Sequence, residues 1–240
     1  MSRLRLAVVA TVIGFVFVGC DALPGRPKAA KREGAPSDVM AFDALYARNC
    51  AGCHGADGRL GAARPLNDPL YLALVPPDRL RSIIQRGVPG TSMPAFGTGA
   101  GGDLTDAQVD VLAHGMLDRW GRPQAVNGLT LPSYESQSAG TGPGEQAHGA
   151  AVYDLACARC HGAQGRGGAR GGAIADPSYL ALVSDQSLRT TVVAGRSDLG
   201  CPDWRSHLPG RPLTSEEIGD VVAWLASRRQ AVPGRVEQKR

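Results

Sequence analysis

Cys50-Ala51-Gly52-Cys53-His54 and Cys157-Ala158-Arg159-Cys160-His161 are two copies of one pattern, C-x-x-C-H. The pattern is the covalent attachment signature of c-type haem, and the chemistry fixes its spacing. Two thiols three residues apart add across the two vinyl groups on one porphyrin edge. The His that follows lies under the ring and offers its imidazole to the iron. Cys50, Cys53, Cys157 and Cys160 are therefore the expected attachment points, with His54 and His161 as iron ligands. A C-x-x-C can also be a redox dithiol or half of a zinc site. A four-cysteine zinc site would not need the histidines, and a thioredoxin-like pair would sit in a βαβ pattern that this sequence lacks. Two covalently bound haem c groups are the expected cofactors.

The surroundings of the motifs repeat as well. Asp68-Pro-Leu-Tyr-Leu-Ala-Leu-Val75 returns as Asp176-Pro-Ser-Tyr-Leu-Ala-Leu-Val183. Gly87, Pro94 and Phe96 are matched by Gly195, Pro202 and Trp204, all at an offset of 108, and Tyr46 matches Tyr153 at an offset of 107. This is a duplicated unit of about a hundred residues, an ordinary domain size. On these motifs each half resembles a class I cytochrome c. The whole resembles a tandem-domain dihaem cytochrome c lipoprotein of bacteria, over about 37–230. The resemblance implies an all-α fold, each domain a few helices wrapped around one covalent haem.

Composition agrees with that expectation. Gly (32) and Pro (17) are abundant in the 240 residues and aromatics are scarce, which leaves little for a conventional core. Small domains of this kind gain stability from a bound cofactor. The net charge is +4, and a cleaved leader would take Arg3 and Arg5 with it. No nucleic-acid footprint is present.

The chain begins with Arg3 and Arg5 and then an apolar run over 6–18. That run is too short to span a bilayer and suits the apolar region of a signal peptide. It ends in Phe17-Val18-Gly19-Cys20, similar to the lipobox of bacterial lipoproteins, with Phe where the first position usually holds Leu. Residues 1–20 are read as a lipoprotein signal peptide ending at a lipidated Cys20. Residues 21–36 read as a flexible tether. The product would be exported and held by lipid at the periplasmic face of the membrane, where c-type haem is attached.

Cytochrome c domain 1 is placed at 37–120, a linker at 121–144, domain 2 at 145–230 and a basic tail at 231–240. In domain 1 a helix over 39–49 leads into the haem motif. Pro65 is implied by the resemblance to present its carbonyl to the haem His, and Ala173 stands in its place in domain 2. A middle helix should run over 78–86 from Asp78 as N-cap to the stop at Gly87. Thr105-x-x-Gln108 is a capping box opening a helix to Trp120. Domain 2 should repeat this, with a helix over 145–156 and a final helix capped by Thr214-x-x-Glu217 that reaches Arg229.

A six-coordinate haem needs a second axial ligand. Met93, in Ser92-Met93-Pro94-Ala95-Phe96, resembles the Met loop of class I cytochromes c, whose thioether favours ferrous iron. Met116 competes, but it sits inside the capped final helix. Met40 is expected to pack in the first helix. In domain 2, which has no Met, Cys201 stands six residues after Gly195, as Met93 stands after Gly87, and Pro follows both. With Cys20 assigned to lipid and four cysteines to haem, Cys201 has no partner in the chain. It is either a thiolate ligand of the second iron, an inert thiol beside His207 as the ligand, half of an intermolecular disulfide, or a bystander to an open iron. His114 stands on the last helix of domain 1 beside Gly115-Met116, and His148, at the opening of the first helix of domain 2, reads as solvated.

The expected function is electron transfer by a membrane-anchored dihaem cytochrome with no substrate chemistry of its own. The donor would be a quinol-oxidising complex or a dehydrogenase. The acceptor would be a terminal oxidase, a reductase or a photosynthetic reaction centre. The second reading is a dihaem sulfur-compound oxidoreductase of the thiosulfate dehydrogenase type, using the Cys-ligated haem and an anion pocket of Arg196, Arg205 and Arg211. A haem-based sensor is a third class.

Overall fold

The computed structural model describes residues 34–135 and 143–230. The residues read as a signal peptide with Cys20, most of those read as a tether and those read as a basic tail lie outside them. The described residues up to Asp38 end in the 3-10 turn Pro36–Asp38 and lie outside the main unit. From Val39 onward the chain forms one compact unit containing both haem motifs.

In the first half the helices are α1 (Phe42–Asn49), α2 (Ala51–His54), α3 (Pro69–Leu74), α4 (Pro77–Arg86) and α5 (Asp106–Trp120). In the second they are α6 (Pro143–Ala156), α7 (Ala158–His161), α8 (Pro177–Leu182), α9 (Asp185–Ala194) and α10 (Ser215–Ala226). Among the described residues there is no strand, only isolated bridges such as Gly97–Leu104 and Arg196–Cys201. The fold is all-α, as expected.

The caps explain most boundaries. Both capping boxes form: Thr105 Oγ accepts from the Gln108 N–H at 3.3 Å, and Thr214 Oγ from the Glu217 N–H at 3.1 Å. The repeated Asp-Pro stretch turns out to spell a helix that went unread in the sequence. Asp68 accepts from the Leu70 and Tyr71 N–H groups and Pro69 opens the turn; Asp176 and Pro177 do the same in α8. Asp78 is not the cap of α4. Pro76 occupies that position and Pro77 starts the helix, because a proline is already set for the first turn and has no N–H to satisfy. Asp78 lies one residue inside, where its charge suits the helix N-terminus. α1 begins at Phe42 rather than at 39, and Met40 is exposed instead of packing in it. α10 stops at Ala226, short of Arg229.

In each half the first and last helices cross. Phe42 and Tyr46 of α1 meet Trp120 of α5, with Tyr46 and Trp120 edge to face at 5.1 Å. Tyr153 of α6 stacks on Trp224 of α10 at 4.5 Å. The second crossing carries a polar bond as well. His148 is exposed, as a solvated residue should be, and also makes a cross-helix contact: its Nδ1 lies 2.6 Å from the buried Asp220 carboxylate. The Asp220 hydrogen bond, with Asp220, Glu216 and Glu217 charge behind it, holds the His148 pKa above its usual value. A raised folded-state pKa gives stability that is whole below about pH 6.5 and lost as pH climbs through the folded pKa. Thermal unfolding of the haem-loaded chain should therefore show a small loss above pH 6.5 that His148→Ala removes. An unaltered pH profile in that variant would count against the ion pair.

The two halves share their packing. Ala194 of α9 belongs to the first core, while Leu74 of α3 belongs to the second. The described part of the linker runs along both, as its length allowed. Leu129, Leu131 and Tyr134 pack on the second core, and the Tyr134 and Ser133 carbonyls accept from Gln186 and Arg189.

Candidate haem sites

Each motif sits on a one-turn helix, α2 or α7, that is tied to the helix before it. The Tyr46 hydroxyl donates to the Gly55 carbonyl at 3.0 Å, and that of Tyr153 to the Gly162 carbonyl at 2.7 Å. These tyrosines were visible as a repeated pair, but their partner was not. Beyond the motif the chain doubles back so closely that side chains are excluded. A Cβ on Gly61 would lie 2.2 Å from the Cys53 carbonyl oxygen, and one on the equivalent Gly168 would lie 2.6 Å from that of Cys160. The glycine content of these loops has this local cause.

The return brings a carbonyl to each histidine. His54 Nδ1 is 2.7 Å from the Arg64 oxygen, and His161 Nδ1 is 2.9 Å from the Gly172 oxygen. The expectation of Pro65 and Ala173 is corrected by one residue in both halves. Pro65 itself is buried, and as a proline it holds the preceding peptide extended. An acceptor at Nδ1 places the proton there and leaves the Nε2 lone pair for a metal. His54 is buried and His161 half-buried. Burial pushes the Cys50 and Cys157 thiols up to about 12, aided by the charges of neighbouring cysteines.

The loops after α4 and α9 are built alike. Gly87 and Gly195 both have positive φ, at 67° and 74°. A Cβ on either would strike backbone, 2.7 Å from the Met93 oxygen or 2.8 Å from the Cys201 oxygen. The Val88 N–H donates to the Met93 carbonyl, and the Arg196 N–H to the Cys201 carbonyl, both at 3.0 Å. Met93 and Cys201 thus occupy one backbone position in the two halves. Met93 is half-buried in its loop, whereas Met116 is a core residue at 1% exposure. Cys201 lies close enough to Cys157 and Cys160 for their charges to interact. His207 is near enough to His161 for the same, with Nε2 3.2 Å from the Val192 carbonyl.

These residues fit a covalent haem in each half. The donor set in each half is two thiols and an imidazole with Nε2 left over, and each half also carries a sulfur at the matching position of a later loop, Met93 or Cys201. Among the described residues no three His, Cys, Asp or Glu side chains converge as an ordinary metal ion would require. The three arginines considered as an anion pocket are engaged. Arg196 pairs with Asp198, Arg205 with Asp203 and Arg211 with Glu217.

Comparison with known proteins agrees. The family described as cytochrome c oxidase, cbb3-type, subunit III matches residues 37–114, and the cytochrome c family matches residues 146–229. A dihydro-heme d1 dehydrogenase of Pseudomonas aeruginosa is 41% identical over 70 residues, which is 29% of this chain and 13% of that protein. The CcoP subunit of a cbb3-type cytochrome c oxidase from Azospirillum sp. is 29% identical over 188 residues, which is 71% of this chain and 57% of that subunit. The chain therefore spans less than two thirds of either curated relative. Among solved structures, a chain of the reducing HAO-like protein complex of Kuenenia stuttgartiensis aligns over 79% of this chain and 96% of its own length, with a TM-score of 0.49 and 16% identity.

Proposed function

We propose, from the premise that this chain belongs to the cytochrome c family as two tandem electron-transfer domains with two covalent haem c groups, that it is a lipid-anchored two-haem relay at the periplasmic face of the membrane. Haem c supplies a one-electron ferric/ferrous couple. In this reading Cys50, Cys53, Cys157 and Cys160 carry the haems. His54 and Met93 bind the first iron, and His161 and Cys201 the second, with His207 as the alternative. The domains span 37–120 and 145–230. The observation that carries the reading is the duplicated histidine geometry, each Nδ1 held by a carbonyl of its own loop.

The likeness to an oxidase subunit supports a terminal oxidase as acceptor. A quinol-oxidising complex or a dehydrogenase would be the donor, and a reductase or reaction centre is the other class of acceptor. The carboxylates paired with Arg196, Arg205 and Arg211 favour a carrier over a sulfur-compound oxidoreductase. Rapid mixing of the reduced protein with membranes containing the oxidase should show both haems oxidised within turnover time. Steady turnover of thiosulfate with an artificial acceptor would replace this reading with the enzyme.

Two further outcomes are expected. Haem staining on a denaturing gel, with intact mass, should show two haems retained per chain; a mass fitting one haem or bare polypeptide would refute this. Cys20→Ser should move the haem-stained protein from membrane to soluble fraction, as loss of acyl chains requires. A native protein already soluble without detergent would rule out the anchor.

A further inference from the structure

The seam between the two halves runs through the loop that orients His54. Arg64 presents its carbonyl to His54 Nδ1 at 2.7 Å. Its side chain reaches the second half, where Nη2 donates to Thr191 Oγ at 2.9 Å, while its charge is still felt at His54. Three residues earlier, Gly61 offers its carbonyl to Arg196 Nη2 at 3.4 Å. The Leu60 N–H bonds to Asp198, whose side chain is 3% exposed. So residues 60–64, which return to His54, rest on residues 191–198, which lead into Cys201.

The Arg64 guanidinium lies over the Tyr71 ring at 4.8 Å and interacts by charge with Asp68, Tyr134 and Tyr179. Arg196 adds a second positive charge nearby. Asp198 already answers Arg196. Asp68 is occupied as the α3 cap. Among the described residues no carboxylate hydrogen-bonds Arg64, and its Nη1 is shut away from water with no partner there. A buried guanidinium N–H left unpaired is costly. The family supplies a group of the right kind: haem has two propionate carboxylates, and a guanidinium fork suits a carboxylate.

We propose that Arg64 holds a propionate of the first haem through Nη1 while Nη2 fastens the second half through Thr191, so that one cation both tunes that haem and fixes the seam between the haem sites. The proposal rests on the haem reading above and names what that reading leaves open. A cation beside a haem favours the ferrous state, which carries one positive charge fewer. Arg64 is then a positioning residue on the route between the haems.

The test uses the full chain loaded with both haems. Arg64→Gln should lower the potential of the first haem in a spectroelectrochemical titration. The far-red sulfur-to-iron charge-transfer band expected of His54/Met93 ligation should stay in place, separating lost charge from lost ligation. An unchanged first potential in folded Arg64→Gln protein overturns the proposal. If Arg64→Gln does not accumulate, Arg64→Lys keeps the charge and is read by redox-difference infrared spectra with haem labelled at the propionate carbons. A shifted carboxylate band supports the contact and an unshifted one overturns it. Should the wild-type protein lack the far-red band, the Met93 reading fails by itself, and the propionate bands still decide on Arg64.

Discussion

Gly149→Val should lower the melting temperature of the haem-loaded chain more than the same change at Gly115. Both glycines lie at a helix crossing. A Cβ on Gly149 would sit 2.1 Å from the Asp220 carbonyl oxygen and 2.9 Å from the Trp224 Cβ. Those atoms belong to the α10 backbone and its first side-chain carbon, so relief requires the helices to part. Parting them would also break the Tyr153–Trp224 stack and the His148–Asp220 bond. A Cβ on Gly115 would strike the Phe42 ring at 2.3 Å, and a ring at the start of α1 can turn. Valine is the better probe, because alanine gains about 1 kcal/mol of helix propensity over glycine and partly hides the clash. Overpacking of this kind costs roughly 1–3 kcal/mol, or more where backbone must move. For a chain of this size each kcal/mol is about 2–4 °C. A drop of several degrees is expected at Gly149 and a smaller one at Gly115, measured by calorimetry. Equal shifts would mean that the second crossing is no tighter than the first.

Much of this was readable because the chain states it twice. The C-x-x-C-H pairs, the Gly87/Gly195 stops and the capping boxes at Thr105 and Thr214 are local patterns with local causes, and a repeat makes each one check the other. The helix α3 is legible too, since Asp before Pro before an apolar run is a cap signal, and the same stretch marks the duplication. Three features had no local signal. The carbonyl that meets His54 depends on how tightly residues 55–64 double back, so the family resemblance implies Pro65 where Arg64 makes the bond. The partner of His148 lies 72 residues away on another helix. The seam contact between Arg64 and Thr191 spans 127 residues and follows from how two copies of one fold pack, which duplication alone does not dictate.

Cys201→Met should raise the potential of the second haem by on the order of 0.1 V or more, within the ~0.8 V range that axial ligands cover. The argument is one of register. Gly195 and Gly87 turn their loops alike, and the hydrogen bond to the Cys201 carbonyl copies the one to the Met93 carbonyl. The second loop adds the 3-10 turn Ser197–Leu199, held by the Arg196–Asp198 pair. Among the described residues the thiol's hydrogen bond is a long one, 3.8 Å, to the Pro202 carbonyl, so no strong partner there holds it away from a metal. A thiol bound to ferric iron gives up its proton, and the resulting anion stabilises the ferric state that a neutral thioether disfavours. The oxidised protein should therefore show a low-spin thiolate-type signal in low-temperature electron paramagnetic resonance, absent from Cys201→Met. Met93→Ala should do the converse in the first half, removing the far-red band and lowering that potential; the same outcome from Met116→Ala instead would move the ligand to the core residue. His207 provides the counter-test. Its Nε2 is taken by the Val192 carbonyl, so it would have to bind through Nδ1 or release that bond. If Cys201→Ala leaves the second haem's spectrum unchanged and His207→Ala alters it, the ligand is the imidazole and the two haems are less unequal than the loop register implies.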